Sequence, residues 1–71
     1  MGRKLMDITV VSKEALSEQD KIKIEYILKE SMCPNESLTN IFGERYKGRK
    51  DFNVFIDSTD IENGVKTVFN V

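Results

Sequence analysis

Residues 5–12 read LMDITVVS, a stretch that is rich in β-branched side chains. Side chains at alternate positions of a strand point to opposite faces, so a period of two is typical of a strand that buries one side. One face would carry Met6, Ile8 and Val10, and the other would carry Asp7, Thr9 and Val11. We therefore predict a first strand over residues 5–12, preceded by a flexible segment at residues 1–4.

The segment that follows, residues 17–31, reads SEQDKIKIEYILKES and shows signals of both a strand and a helix. Its apolar residues partly alternate, which favours a strand. Ser17 followed by Asp20 resembles a helix start signal, and Glu25 and Lys29 are opposite charges four positions apart. No proline interrupts the segment before Pro34. We predict a helix. Its broad apolar face would consist of Leu16, Ile24, Ile27, Leu28 and Met32.

A shorter helix is predicted after Pro34, which breaks the first one. Ile41 and Phe42 lie three and four positions after Leu38, as on one side of a helix, and Gly43 would end the helix. A strand over residues 38–46 is the alternative interpretation.

The last part of the chain holds two alternating segments, KDFNVFIDS at residues 50–58 and GVKTVFNV at residues 64–71. The pair Asn63–Gly64 between them is a common hairpin turn. We therefore predict a C-terminal β-hairpin. The fold class is then α+β, a single small α/β domain over residues 1–71. Its order is β-α-(short α)-β-β, with a three-stranded mixed sheet and one main helix packed on one face.

Composition limits the class of protein. The chain has 71 residues, a formal net charge of −1, 39% hydrophobic residues and one cysteine. One domain is expected at this length, and its core is barely large enough to offset chain entropy. No stretch approaches the roughly 20 apolar residues of a membrane span. We expect a cytoplasmic protein that contacts no membrane.

The sequence lacks residues and motifs that several kinds of catalysis require. The chain has no histidine, the commonest general base and a frequent metal ligand. Its glycines do not show the spacing of a phosphate-binding loop. Cys33 has no partner motif beside it, and we expect it to be buried. We predict no enzymatic activity, no cofactor and no metal site.

Two apolar surfaces remain after the core is assigned, and they are the predicted protein-binding site. Val11, Phe55 and Val68 fall on the sheet face away from the main helix. Either the short helix covers that face, or three scattered apolar residues are tolerated there, or the face contacts a partner. Ile22 and Tyr26 either pack on the short helix or form an outward anchor for binding.

A basic segment offers a second interpretation. Positive charge gathers between residues 45 and 50, in the sequence RYKGRK. Basic side chains could neutralise phosphates while an aromatic ring stacks on a base. The nucleic-acid-binding residues would then be Arg45, Tyr46, Lys47, Arg49 and Lys50. The other interpretations are a contact with an acidic protein partner and a solvated approach to the hairpin.

The leading prediction is a small non-enzymatic module that binds protein through the sheet face or the helix surface. Its partner would be another protein or a second copy of the chain, giving a homodimer. The size, the missing catalytic groups and the α/β outline resemble those of small regulatory or inhibitory proteins of bacteria and their phages. The alternative is a nucleic-acid-binding protein that uses residues 45–50.

Overall fold

The computed structural model describes residues 6–71, in which two α-helices and four β-strands make a small α+β domain. The strands are β1 (Asp7–Ser12), β2 (Tyr46–Lys50), β3 (Asn53–Ile56) and β4 (Val65–Asn70), and the helices are α1 (Glu18–Glu30) and α2 (Pro34–Phe42). Short 3-10 turns lie at Gly43–Arg45 and Ile61–Asn63. The predicted flexibility of residues 1–4 and the strand position of residue 5 lie outside the described residues.

The four strands form one mixed sheet in the order β2-β3-β1-β4. The first strand of the chain is therefore central. It runs parallel to β3 and antiparallel to β4, while β2 and β3 are antiparallel neighbours. The helices lie in the connection between β1 and β2, and the parallel pairing of β1 with β3 makes the sheet mixed, as predicted. The sheet has four strands, so the prediction of three is wrong.

Both predicted helices are present, and the start of α1 follows from its capping residue. Ser17 has an extended backbone, and its hydroxyl accepts a hydrogen bond of 3.1 Å from the Asp20 amide. Such a bond satisfies one of the amides that the first helical turn leaves unpaired. Pro34 stands in the first turn of α2, where its missing amide costs nothing. The alternative of a strand over residues 38–46 holds only for Tyr46, where β2 begins.

The core lies between the sheet and both helices. Ile24 and Ile27 of α1 and Leu38 and Phe42 of α2 are buried in one cluster. The same cluster contains Ile8, Val10, Val54, Ile56 and Phe69 of the sheet. Met6 was predicted on the same face as Ile8 and Val10, but it is 45% exposed. Since α1 and α2 share one cluster with one sheet face, they pack on the same side of the sheet. The expected core residue Met32 is exposed, because α1 ends two residues before it.

The predicted C-terminal hairpin is wrong. β1 lies between β3 and β4, so residues 53–56 and 65–70 never pair with each other. Asn63 ends a 3-10 turn, and Gly64 has an extended backbone with a φ of −113° instead of a tight-turn conformation. The connection from Asp57 to Gly64 instead crosses the end of β1. The extended β1 strand offers two hydrogen-bonding edges, and β3 and β4 each take one of them.

The real hairpin joins β2 to β3 through the two residues Asp51 and Phe52. Both have a positive φ, 49° and 65°. Two-residue hairpin loops favour such angles, because the resulting twist matches that of the strands. A phenylalanine in this conformation is strained by its Cβ atom. The Phe52 side chain is also 57% exposed, so burial does little to offset that strain.

Phe52→Gly is expected to stabilise the fold by about 0.5–1 kcal/mol. Glycine relieves about 1–2 kcal/mol of left-handed strain, and its greater freedom in the unfolded chain removes part of that gain. Urea unfolding measures the difference. Phe52→Ala is the matched control, since it removes the ring and keeps the strained Cβ. A gain of equal size in both variants would contradict the role of the backbone.

Candidate protein-binding surface

One face of the sheet carries neither helix. We name it the open face and define it by the residues that register places on it: Asp7, Thr9, Val11, Lys50, Asn53, Phe55, Lys66, Val68 and Asn70. This is the face on which the sequence predicted Val11, Phe55 and Val68. Within residues 6–71, α2 packs beside α1 on the other side and does not cover it. The expectation that the short helix folds over this face is therefore wrong.

The three predicted apolar residues of the open face differ in exposure. Val68 is 60% exposed, and Phe55 is half-buried. Val11 is completely buried, so the prediction that Val11 belongs to an exposed binding surface is wrong. The cause is Gly64, which lies so close to Val11 that a Cβ on Gly64 would overlap the Val11 Cγ1. The connection before β4 thus covers the end of β1.

Polar groups border the apolar part of the open face. Asn70 donates a hydrogen bond of 2.7 Å from its Nδ2 to the carboxylate of Asp7, on the neighbouring strand. Lys66 pairs in register with Val11, and Lys50 pairs with Asn53. An apolar centre with a polar margin is the usual anatomy of a protein–protein contact.

Ile22 and Tyr26 lie together on the outer side of α1. They are 65% and 67% exposed, so the interpretation that they pack on α2 is wrong. The helical period explains this, because both residues point away from the buried Ile24 and Ile27. Leu38 and Phe42, their expected neighbours on α2, face the core instead. Ile22 and Tyr26 therefore form a second exposed apolar surface.

Most of the basic segment, residues 46–50, lies on the edge strand β2, and its side chains Lys47, Arg49 and Lys50 are exposed, as the interpretation of a solvated approach to a hairpin predicts. The hairpin that follows joins β2 to β3 and is not the predicted one. Arg45 precedes β2 and is engaged within the domain. Its Nε lies 2.9 Å from the Asp57 carboxylate, and its Nη2 lies 3.5 Å from that of Asp20. The hydrogen bond that Arg45 donates to the Asp57 carboxylate is the main reason that the pKa of Arg45 is raised. The guanidinium also stands over the Phe42 ring, 5.4 Å from its centroid.

The remaining residues of the basic segment do not converge on one surface. The Tyr46 hydroxyl donates a hydrogen bond to Asn35 at the start of α2, and burial raises the pKa of Tyr46. Arg49 pairs with Val54 on the helix side, where it borders a cavity of about 280 Å³. Lys50 lies on the open face, and Lys47 falls at an irregularity of the strand. Nucleic-acid binding remains a prediction that no feature of this arrangement favours.

Other candidate chemistry is limited. Cys33 is exposed, so the expectation that it is buried is wrong. Across residues 6–71, no group of three acidic or cysteine side chains is placed to hold a metal ion. None of the helices in this part of the chain is long and apolar enough to cross a membrane.

Two features of the surface were not predicted from the sequence. One is Phe52, which was assigned to a strand interior although it lies in a turn. The neighbouring Asp51 is the sequence signal, since aspartate tolerates positive φ better than most residues. The other is the position of β4 at the sheet edge, for which the sequence has no local signal, because strand order depends on distant segments.

Comparison with known proteins finds no match: no family model fits the sequence, and no curated protein or solved structure is significantly similar to it.

Proposed function

We propose that this chain is a small non-enzymatic protein-binding module of regulatory or inhibitory type, and that it acts through the open face. The observation that carries the proposal is the exposure of Val68, 60%, on a sheet face that neither α1 nor α2 covers. Phe55 lies on the same face and is half-buried. Exposed apolar surface on a small domain commonly marks a contact with another protein.

The energetics of a short chain support the same proposal. A domain of 71 residues gains apparent stability whenever a partner binds its folded form, because binding removes folded molecules from the unfolding equilibrium. The absence of histidine removes the most frequent acid–base catalyst, which favours a binding role over an enzymatic one. The exposed pair Ile22 and Tyr26 on α1 is a second surface that could serve the same role.

Val68→Asp is expected to weaken binding to a partner by at least about 30-fold, the effect of losing about 2 kcal/mol at the centre of an interface. The tagged chain would first capture its partner from cell extract. The purified partner, or the chain itself when no other protein is captured, would then be titrated by calorimetry. Val68 is suited to this change because its exposure lets the monomer tolerate a charge.

Ile22→Asp is the matched control, since it places the same charge on an equally exposed apolar residue of α1. Circular dichroism checks that both variants are folded. Loss of binding in Ile22→Asp alone would move the binding site to α1 and contradict the role of the open face. A wild-type chain that binds neither itself nor any captured protein would contradict the protein-binding function.

A further inference from the structure

The two edges of the sheet are built differently. The edge strand β2 contains Lys47, Arg49 and Lys50 within five residues, and its pairing with β3 is shifted between Tyr46 and Gly48. Lysines and irregular pairing on an edge strand are devices that prevent another strand from adding to it. This edge is protected against further pairing.

The opposite edge strand, β4, has no such protection. It pairs with β1 in an unbroken register from Asn70 to Val65, with no bulge. Its sequence, VKTVFN, has no proline and a single charged residue, Lys66. In the part of the chain that the structure describes, no other strand pairs with the outer side of β4. A regular, largely uncharged edge of this kind is a template for strand addition.

Hydrogen-bond alternation identifies which backbone groups β4 presents outward. Just beyond its end, Val71 and Met6 exchange two hydrogen bonds, of 2.8 and 2.7 Å. Facing residues of antiparallel strands alternate between bonded and non-bonded pairs, so Phe69, Thr67 and Val65 also bond to β1. The amides and carbonyls of Lys66, Val68 and Asn70 therefore point away from β1 and toward the outer edge.

We propose that the outer edge of β4 pairs antiparallel with β4 of a second copy of the chain, about a two-fold axis at Val68. The inference rests on the proposed protein-binding function and assigns it a partner. The three outward residues are spaced evenly around Val68, so a two-fold axis there sets Val68 opposite itself and Lys66 opposite Asn70 of the second copy. This register uses every outward group and forms up to about six hydrogen bonds. An axis at a neighbouring residue leaves some of these groups unpaired.

Charge complementarity favours the same register. In this register Lys66 faces Asn70 of the second copy, and that Asn70 is hydrogen-bonded to Asp7 of its own chain. Lys66 therefore lies in one row with Asn70 and Asp7 of the second copy. Two strand spacings, about 10 Å between Cα atoms, separate Lys66 from that Asp7. A lysine and an aspartate side chain together span this distance. The two-fold axis repeats the ion pair on both sides of Val68, and no like charges face each other.

Sedimentation velocity between about 1 µM and 1 mM protein tests the pairing. The wild-type chain is expected to shift from monomer to dimer across this range. Val68→Lys would place two lysines opposite each other at the axis, and its dissociation constant is expected to rise at least about tenfold. Met32→Lys is the matched control, since Met32 is 96% exposed and lies on neither candidate surface, and it is expected to dimerise as the wild type does. An equal loss of the dimer in both variants, or no loss in Val68→Lys, would overturn the proposal.

A charge exchange tests the register itself. Lys66→Asp and Asp7→Lys are each expected to weaken the dimer, and the double variant is expected to restore it. Within one chain the two residues lie four positions apart along paired strands, about 13 Å, so the restoration must act between copies. Failure of the double variant to recover dimerisation beyond the two single variants would overturn this register.

Amide exchange provides a readout that does not depend on substitution. In the dimer, the amides of Lys66, Val68 and Asn70 are expected to become protected as protein concentration rises, while those of Thr67 and Phe69 are protected throughout. A wild-type chain that remains monomeric at about 1 mM would overturn self-pairing. The proposed function would still stand if Val68→Asp abolished binding to a different captured protein, so the two failures are distinguishable.

Discussion

Replacement of Ile24 by alanine is expected to lower the free energy of unfolding by about 2–5 kcal/mol. The Ile24 side chain is completely buried and lies in the cluster that joins α1 to the sheet. Its truncation removes apolar contacts and leaves a cavity that the surrounding core fills only in part. Because small domains have total stabilities of only about 5 kcal/mol, a loss at the upper end of this range would leave about half of the Ile24→Ala population unfolded. Urea unfolding followed by circular dichroism measures the loss.

Ile22→Ala is the control for this prediction, since it removes the same atoms from the same helix. Ile22 is exposed, so the cost is expected to stay within about 0.5 kcal/mol. The comparison separates burial from helix propensity, which changes equally in both variants. Similar losses at the two positions would mean that α1 does not present Ile24 to the core.

Gly64→Ala is expected to cost about 2–3 kcal/mol, although alanine fits the backbone angles of Gly64. The added Cβ would overlap Cγ1 of Val11 and approach the Ser12 carbonyl and the Ser58 hydroxyl to 3.2 Å. Val11 is β-branched and buried, so its side chain cannot rotate away cheaply. The connection would have to lift from the end of β1. Thermal unfolding of the variant measures the cost.

The double variant Val11→Ala with Gly64→Ala tests this explanation. Removing Cγ1 makes room for the new Cβ, so the double variant is expected to be more stable than the two single losses predict. Gly43→Ala provides the contrast. Gly43 has a φ of 58° and open space around its Cβ position, so its cost of about 1 kcal/mol comes from backbone strain. Val11→Ala should not reduce the cost of Gly43→Ala. If the losses of stability in Val11→Ala and Gly64→Ala simply add in the double variant, the steric explanation is contradicted.

Local pattern predicts much of this fold. The Ser17 cap and the charge spacing of residues 17–31 identify α1 correctly, and the alternation in residues 5–12 identifies β1 from Asp7 onward. These signals act between neighbours in sequence, where capping and side-chain periodicity arise. β2 was missed because an edge strand needs no apolar alternation. β3 was predicted to pair with β4 because Asn63–Gly64 is a local turn signal. In the fold both strands instead pair with β1, one on each of its edges.

The candidate site likewise has features that local sequence pattern predicts and features that depend on distant segments. A period of two correctly placed Phe55 and Val68 on the face away from the helices. It could not show that Val11 is covered, because the covering segment around Gly64 is more than 50 positions away in sequence. The exposure of Ile22 and Tyr26 follows from helical geometry, but the choice between solvent and α2 depends on how α2 docks. That docking is a tertiary property.

The central position of β1 has a consequence for how the molecule is made. Both neighbours of β1 come from the second half of the chain, and its last partner ends at Asn70. During translation, Ile8 and Val10 therefore leave the ribosome long before either adjoining strand exists. In the nascent chain these aliphatic side chains stay exposed, or are covered by α1 alone, until residues 53–70 have emerged. Contacts between residues this far apart in sequence slow folding. The partly folded chain that lacks β3 and β4 is therefore the species most prone to aggregation and to chaperone binding.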